Sequence, residues 1–181
     1  MAIIIALSAL AANNSFAQYN EIKSENIASL QVVAGNNWLS MPIATLNGEA
    51  INISFDDLTH EYHRYVYRLQ HCEADWSVSE GIFESDYCEG FADGSTIDDI
   101  EESLNTNTLY THYRLSIPNE NCRIKMSGNY RLTVYDENEG DTVFTACFMV
   151  VEPLVKTSMA VTTNTDIDTN KAHQQVAAEI N

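Results

Sequence analysis

His60-Glu61-Tyr62-His63 is the first group of side chains able to hold a metal or move a proton. A zinc-protease helix needs His-Glu-x-x-His, which sets both imidazoles on one face at i, i+4. Here the spacing is i, i+3 and the flanks read as strand, where the two rings point to opposite faces and cannot share an ion. His71 beside Cys72 and His112 beside Tyr113 are further candidates, although strand histidines more commonly make ordinary hydrogen bonds. Asp136 to Asp141 offers oxygens to calcium but lacks the order of an EF-hand loop. Gly-x-Ser-x-Gly, P-loop and Gly-x-Gly-x-x-Gly patterns are absent. Among 26 Asp and Glu, a carboxylate pair at glycosidase spacing of about 5–9 Å arises by chance. The expectation is therefore no catalytic residue, no metal site and no cofactor.

Cys72, Cys88, Cys122 and Cys147 are even in number and permit three full pairings. A Cys72–Cys88 bond would close a loop of about fifteen residues. Cys147, inside the apolar run Val143 to Val151, reads equally well as a buried thiol. Without a Cys-x-x-Cys pair, neither a zinc ribbon nor a thioredoxin-type site is supported, and the pairing stays open.

The elements that must position these residues are strands. Glu49 to Phe55 alternates apolar and polar, with Asp56-Asp57 as a turn signal. From Tyr62 to Cys72, Tyr65, Tyr67, Leu69 and His71 share one face, while Val66, Arg68, Gln70 and Cys72 share the other. Tyr110 to Ile117 repeats the pattern and stops at Pro118-Asn119. Ser127-Gly128-Asn129 turns the chain into Tyr130 to Tyr135, and the polar stretch Asp136 to Asp141 leads into Thr142 to Val151. That last run is apolar in both phases, as in a central strand covered on both faces. Ile27 to Val33 and Trp38 to Leu46 complete the set as extended segments around Gly35-Asn36-Asn37. About seven short antiparallel strands at this spacing predict an all-β, immunoglobulin-like sandwich. Gly128-x-Tyr130 fits a corner tyrosine whose hydroxyl ties to backbone upstream, or an ordinary aromatic strand after a turn.

The chain has 181 residues and a formal charge of −17. So acidic a balance argues against nucleic acid and anionic lipid as partners, because both require clustered Lys and Arg. Ala2 to Ala12 is an uncharged apolar run of eleven residues, too short to span a bilayer. With Ser15-Phe16-Ala17 behind it, the segment reads as a signal peptide over 1–17, although no Lys or Arg follows Met1. The mature chain would begin at Gln18, with a short lead-in to residue 26. No later segment is apolar enough to insert in a membrane, so the product is expected in an oxidising compartment, monomeric when free.

Residues 73–102 carry eleven acids and no Lys or Arg, yet Trp76, Phe83, Tyr87 and Phe91 run through them. This predicts a folded excursion between strands, where binding tends to reside, or a solvated loop whose aromatics fill the sandwich edge. The candidate contacts are Trp76, Tyr87 and Phe91, with Asp75 and Glu89 beside them. Ile97, Ile100 and Leu104 follow helical spacing behind Ser95, so local pattern predicts a short helix there.

Several motifs in one order resemble a known family: Phe55-Asp56-Asp57-Leu58; Tyr65-x-Tyr67-x-Leu69-Gln70-His71-Cys72-x-Ala74-Asp75-Trp76; and Tyr87-x-x-Gly90-Phe91. They continue with Ser103-x-Asn105-Thr106, Tyr110 to Leu115 including Tyr113, Ile117-Pro118-Asn119, Ser127-Gly128-Asn129-Tyr130 and Phe148 to Glu152. Over residues 27–152 the chain resembles the first domain of the type IX secretion plug proteins of Bacteroidota. The resemblance implies an immunoglobulin-like domain exported to the periplasm at the inner face of the outer membrane. It implies a partner too, a giant outer-membrane translocon barrel whose mouth the family seals by protein–protein contact. It further implies an extended conformation near residues 97–104. Family members are more than twice as long, so residues 153–181 are expected to be a linker and the start of a second domain. There His173-Gln174-Gln175-Val176 resembles an opening strand left without partners. A carbohydrate-binding accessory sandwich and a hydrolase using a carboxylate pair are the rival expectations.

Overall fold

A computed structural model of the protein describes residues 20–167 and 172–180. The expected leader and the start at Gln18 lie outside the described residues. In chain order the elements are β1 (Glu21–Ile22), β2 (Ile27–Ala34), β3 (Ile43–Thr45), β4 (Ile51–Asp57), β5 (Tyr65–Cys72) and α1 (Glu84–Tyr87). Then follow β6 (Cys88–Gly90), β7 (Asp93–Thr96), β8 (Asp99–Glu102), β9 (Thr111–Ile117) and β10 (Cys122–Ile124). The last four are β11 (Gly128–Asp136), β12 (Thr142–Val151), β13 (Thr157–Thr162) and β14 (Gln175–Ile180).

Alternation builds two layers. In β4, Ile51, Ile53 and Phe55 turn inward, and in β9 Tyr113, Leu115 and Ile117 do the same. These strands lie in a four-stranded sheet ordered β2-β4-β9-β8. The facing sheet has six strands, ordered β1-β12-β11-β5-β7 with β3 on β12. Between the layers Phe55 meets Phe144 edge-on at 4.8 Å and Tyr65 at 5.4 Å, and stacks on Tyr113 at 5.1 Å. Each such ring contributes about 1.5–3 kcal/mol through burial, and edge or offset contacts add about 0.5–1.5 kcal/mol. The result is an all-β sandwich, as alternation predicts. It has more strands than seven because β1, β3, β7 and β8 are two to four residues long, too short to show a period.

Four details depart from the expectations. Trp38 to Leu46 is not one extended segment: Asn37 turns the chain by accepting the Leu39 N–H on its side chain, and only Ile43–Thr45 forms a strand. That strand runs parallel to β12, pairing Ile43 with Met149. The turn signal at Asp56-Asp57 falls one step early. Asp57 ends β4, and its carboxylate accepts the N–H and hydroxyl of Thr59. Finally, the helix expected over Ile97 to Leu104 is overturned. Ile97 is buried and donates to the Tyr65 carbonyl, Leu104 is exposed, and Asp99–Glu102 pairs with β9. A helix would crowd Asp98, Asp99, Glu101 and Glu102 onto little more than one turn, whereas the strand sets Arg114 against Asp99 and Glu101. The extended form implied by the resemblance is the one found.

The chain divides after Val151 into two compact units. In the second, Gln175–Ile180 pairs antiparallel with Thr157–Thr162, so the segment expected to lack partners has one.

Candidate interaction surface

The excursion between β5 and β7 begins with a tight turn. Glu73 donates to the Ser77 carbonyl, and Trp76 donates back to Glu73. The Asp75 carboxylate accepts the Ser77 hydroxyl at 2.6 Å and its N–H at 3.0 Å, which holds the Asp75 carboxyl below its usual range. Trp76 sits at φ +67°, a region bulky residues rarely occupy, and its side chain is half-buried. Further on, the Phe83 N–H donates to the Asp86 carboxylate at the head of α1. Phe83 and Phe91 are 75% and 70% exposed, Asp75 and Glu89 are exposed, and Glu89 lies 3.9 Å from Arg123.

Tyr87 corrects the expectation. It is only 6% exposed, its hydroxyl donates 3.0 Å to the Leu69 carbonyl, and its ring meets Tyr130. Burial, and secondarily the Glu84 charge, pushes its phenol up to about 12. Tyr87 is therefore a core pin under the excursion, not a contact on its surface. Its place outward is taken by Phe83, which shares the same acidic run and four-residue spacing from Tyr87.

A second exposed apolar group lies elsewhere. Trp38 and Leu39 are each 69% exposed and Met41 is 66% exposed. The signal for it was in the sequence: residues 27–48 contain no charged residue in a chain of net −17. One exposed aromatic with two exposed aliphatic neighbours in so uncharged a stretch makes this a second candidate contact.

The motif residues turn out to hold the sandwich together. Asp56 pairs with His112 at 2.6 Å across β4 and β9, and the Gln70 side chain accepts from Arg131. Tyr67 receives a hydrogen bond from Asn119, whose side-chain oxygen also accepts the Asn121 and Cys122 N–H groups. Cys72 is buried at the end of β5 and bridges to Val78. His71 lies against the Gly128 backbone so closely that any Cβ there would strike its ring, and Gly128 has φ +152°. The same ring sits 2.8 Å from the Ser79 hydroxyl and edge-on to Tyr130 at 5.3 Å. Tyr130 donates 2.6 Å to the Met126 carbonyl, the upstream tie expected of a corner tyrosine.

Of the histidines singled out for metal, His60 donates to the Tyr110 carbonyl, while His63 lies 2.8 Å from Asp136. Both precede β5 in irregular chain instead of sitting on a strand. Among the described residues no three His, Cys, Asp or Glu side chains converge as ligands. An open groove of about 240 Å³ is lined mainly by apolar residues, among them Leu46, Ile117, Pro118 and Ile124. No helix among the described residues is long and apolar enough to cross a membrane.

A family model described as the type 9 secretion system plug protein 1st domain matches residues 27–152. Among solved structures, a hypothetical protein from Parabacteroides merdae ATCC 43184 is 45% identical, with a TM-score of 0.80. The match covers 91% of this chain and 41% of that one, so the chain spans less than half of that relative's length. No curated protein matches.

Proposed function

The chain belongs to the type 9 secretion system plug protein family, and on that premise we propose that it is a non-catalytic periplasmic subunit that closes the translocon barrel by contact. Family membership ties it to the secretion machinery and the cell envelope; the barrel as partner and the sealing role are our reading. Closing a pore needs no reaction. It needs a surface that fits the rim and enough area to stay there, about 1,200–2,000 Å² in a stable interface, with aromatic anchors near its centre.

The observation that carries the proposal is the excursion itself. Phe83 and Phe91 stand exposed among Glu80, Glu84 and Glu89, on backbone tied to the sandwich through Tyr87 and through the Phe91 N–H to Asn121 carbonyl bond. Anchors held by a rigid base lose little freedom on binding. Unbalanced acids around them favour a rim of basic or mixed charge and hasten encounter in low salt. A second reading places the contact at Trp38, Leu39 and Met41, favoured by their exposure in an uncharged segment.

Capture of the detergent-solubilised translocon barrel on immobilised protein separates the two. Phe83→Ser with Phe91→Ser should reduce capture at least about tenfold while Trp38→Ser with Leu39→Ser leaves it intact. Loss only in the Trp38 variant moves the contact to that segment. Unchanged capture in both, with unchanged circular dichroism, overturns the proposal.

A further inference from the structure

The two-stranded ribbon of β6 and β10 aligns Cys88 with Ile124 and Gly90 with Cys122. The cysteines thus occupy a diagonal on one face of the ribbon, where side chains two positions apart can meet. Gly90, opposite Cys122, has no side chain and sits at φ +103° with its backbone hard against Asn121. That glycine lets the backbone leading into Cys122 lie close against β6. Both cysteines are buried, and their sulfurs lie 2.7 Å apart. Asn119 holds the turn before β10 by accepting the Cys122 N–H, so the approach is built by the backbone and not by chance rotation.

The sheet also rules out a second bond, between the two remaining cysteines. Cys72 is level with Asn129 on β11, and Cys147 on β12 is level with Arg131. Strand β11 runs between β5 and β12, separating the two by two strand spacings of about 4.8 Å and two residues along the ladder. A disulfide bridges Cα atoms about 4.4–6.8 Å apart, so Cys72 and Cys147 cannot join without displacing β11.

We propose that Cys88 and Cys122 are joined by a disulfide in the mature protein. The bond forms by exchange with a disulfide donor of the oxidising envelope. One cysteine, as thiolate, attacks the donor and releases one donor thiolate; the second, having lost its proton, attacks the mixed disulfide and releases the other. The two cysteines give up two electrons and two protons, and the donor disulfide becomes two thiols. Because both sulfurs are buried in the finished fold, exchange precedes closure of the ribbon. The bond then staples the base of the segment bearing Phe83 and Phe91 to the turn after β9. That consequence for binding rests on the function proposed above; the bond itself does not.

The protein is refolded with oxidised and reduced glutathione, blocked with N-ethylmaleimide in denaturant, digested without reductant and analysed by mass spectrometry. A crosslinked pair of peptides containing Cys88 and Cys122, two hydrogens lighter than the separate peptides, is expected. Maleimide on both residues, or a link from either to Cys72 or Cys147, overturns the proposal. Limited proteolysis of the folded, oxidised protein reads the staple separately: a Cys88→Ser, Cys122→Ser variant should be cleaved within residues 73–91 about tenfold faster. Linked peptides in the parent protein with equal cleavage of the variant overturn the stapling role, and neither readout depends on capture of the barrel.

Discussion

The inter-sheet core and the excursion between β5 and β7 solve the same problem in different ways. In the core, Phe55, Tyr65, Tyr113 and Phe144 come from four strands in two layers and bury one another completely or nearly so. The excursion has no layer opposite it. Tyr87, Cys88 and Ala92 reach the core and β6 pairs with β10 over three residues, while the rest is secured by single ties such as the Asp75 turn and the Asn119 bracket. What the sheets achieve by long repetition, the excursion achieves by one three-residue ladder and individual hydrogen bonds, and its outward aromatics stay exposed. Stability therefore resides mainly in the sandwich, and the recognition we propose resides in a part that contributes less to it.

Phe55→Ala attacks that division where the effect is greatest. Removing a fully buried ring among three others should lower unfolding free energy by about 3–5 kcal/mol, read by urea denaturation. A loss below about 1 kcal/mol would mean the layers are not locked there.

Asp136 tests a smaller term at the sandwich margin. Burial pushes its carboxyl up, but hydrogen bonds from His63 and from the Asn138 and Glu139 N–H groups outweigh this and hold it below its usual range. A group whose pKa is lowered by folding contributes stability that is complete above its unfolded value, about 3.9, and lost as pH falls through the folded one. Thermal unfolding should therefore hold steady down to about pH 5 and weaken below about pH 4. Asp136→Asn should lower stability at pH 7 by about 1.5–3 kcal/mol and flatten that acid limb. An unchanged limb would detach Asp136 from it.

The smallest effect is expected in the excursion. Phe83→Ser with Phe91→Ser should shift unfolding free energy by no more than about 0.5 kcal/mol, because both rings already face water. A large loss would show that these rings support the fold, and the contrast between regions would fail.

The same contrast explains what could be read from the sequence. Alternation over Ile51 to Phe55, Tyr65 to Leu69 and Tyr113 to Ile117 exposed the layers because long strands repeat their environment every second residue. Thr142 to Val151 matched to the residue, since one strand keeps both faces occupied. The excursion offers no such repeat. Strands β6 and β10 have three residues each, and which aromatic turns inward depends on a carbonyl, that of Leu69, eighteen residues from Tyr87. So Tyr87 looked like Phe83 in sequence although one is core and the other exposed. The spacing of Ile97, Ile100 and Leu104 misled because the ladder beside β9 outweighed local propensity. The diagonal that joins Cys88 to Cys122 exists only once β10 is laid beside β6.

Site-specific photocrosslinking in secreting cells tests most directly whether this surface meets the barrel. A benzophenone amino acid in place of Phe91 should yield a crosslink to the outer-membrane translocon, and the same group in place of Trp38 should yield none. A translocon crosslink from position 38 alone, or from neither, would contradict the account.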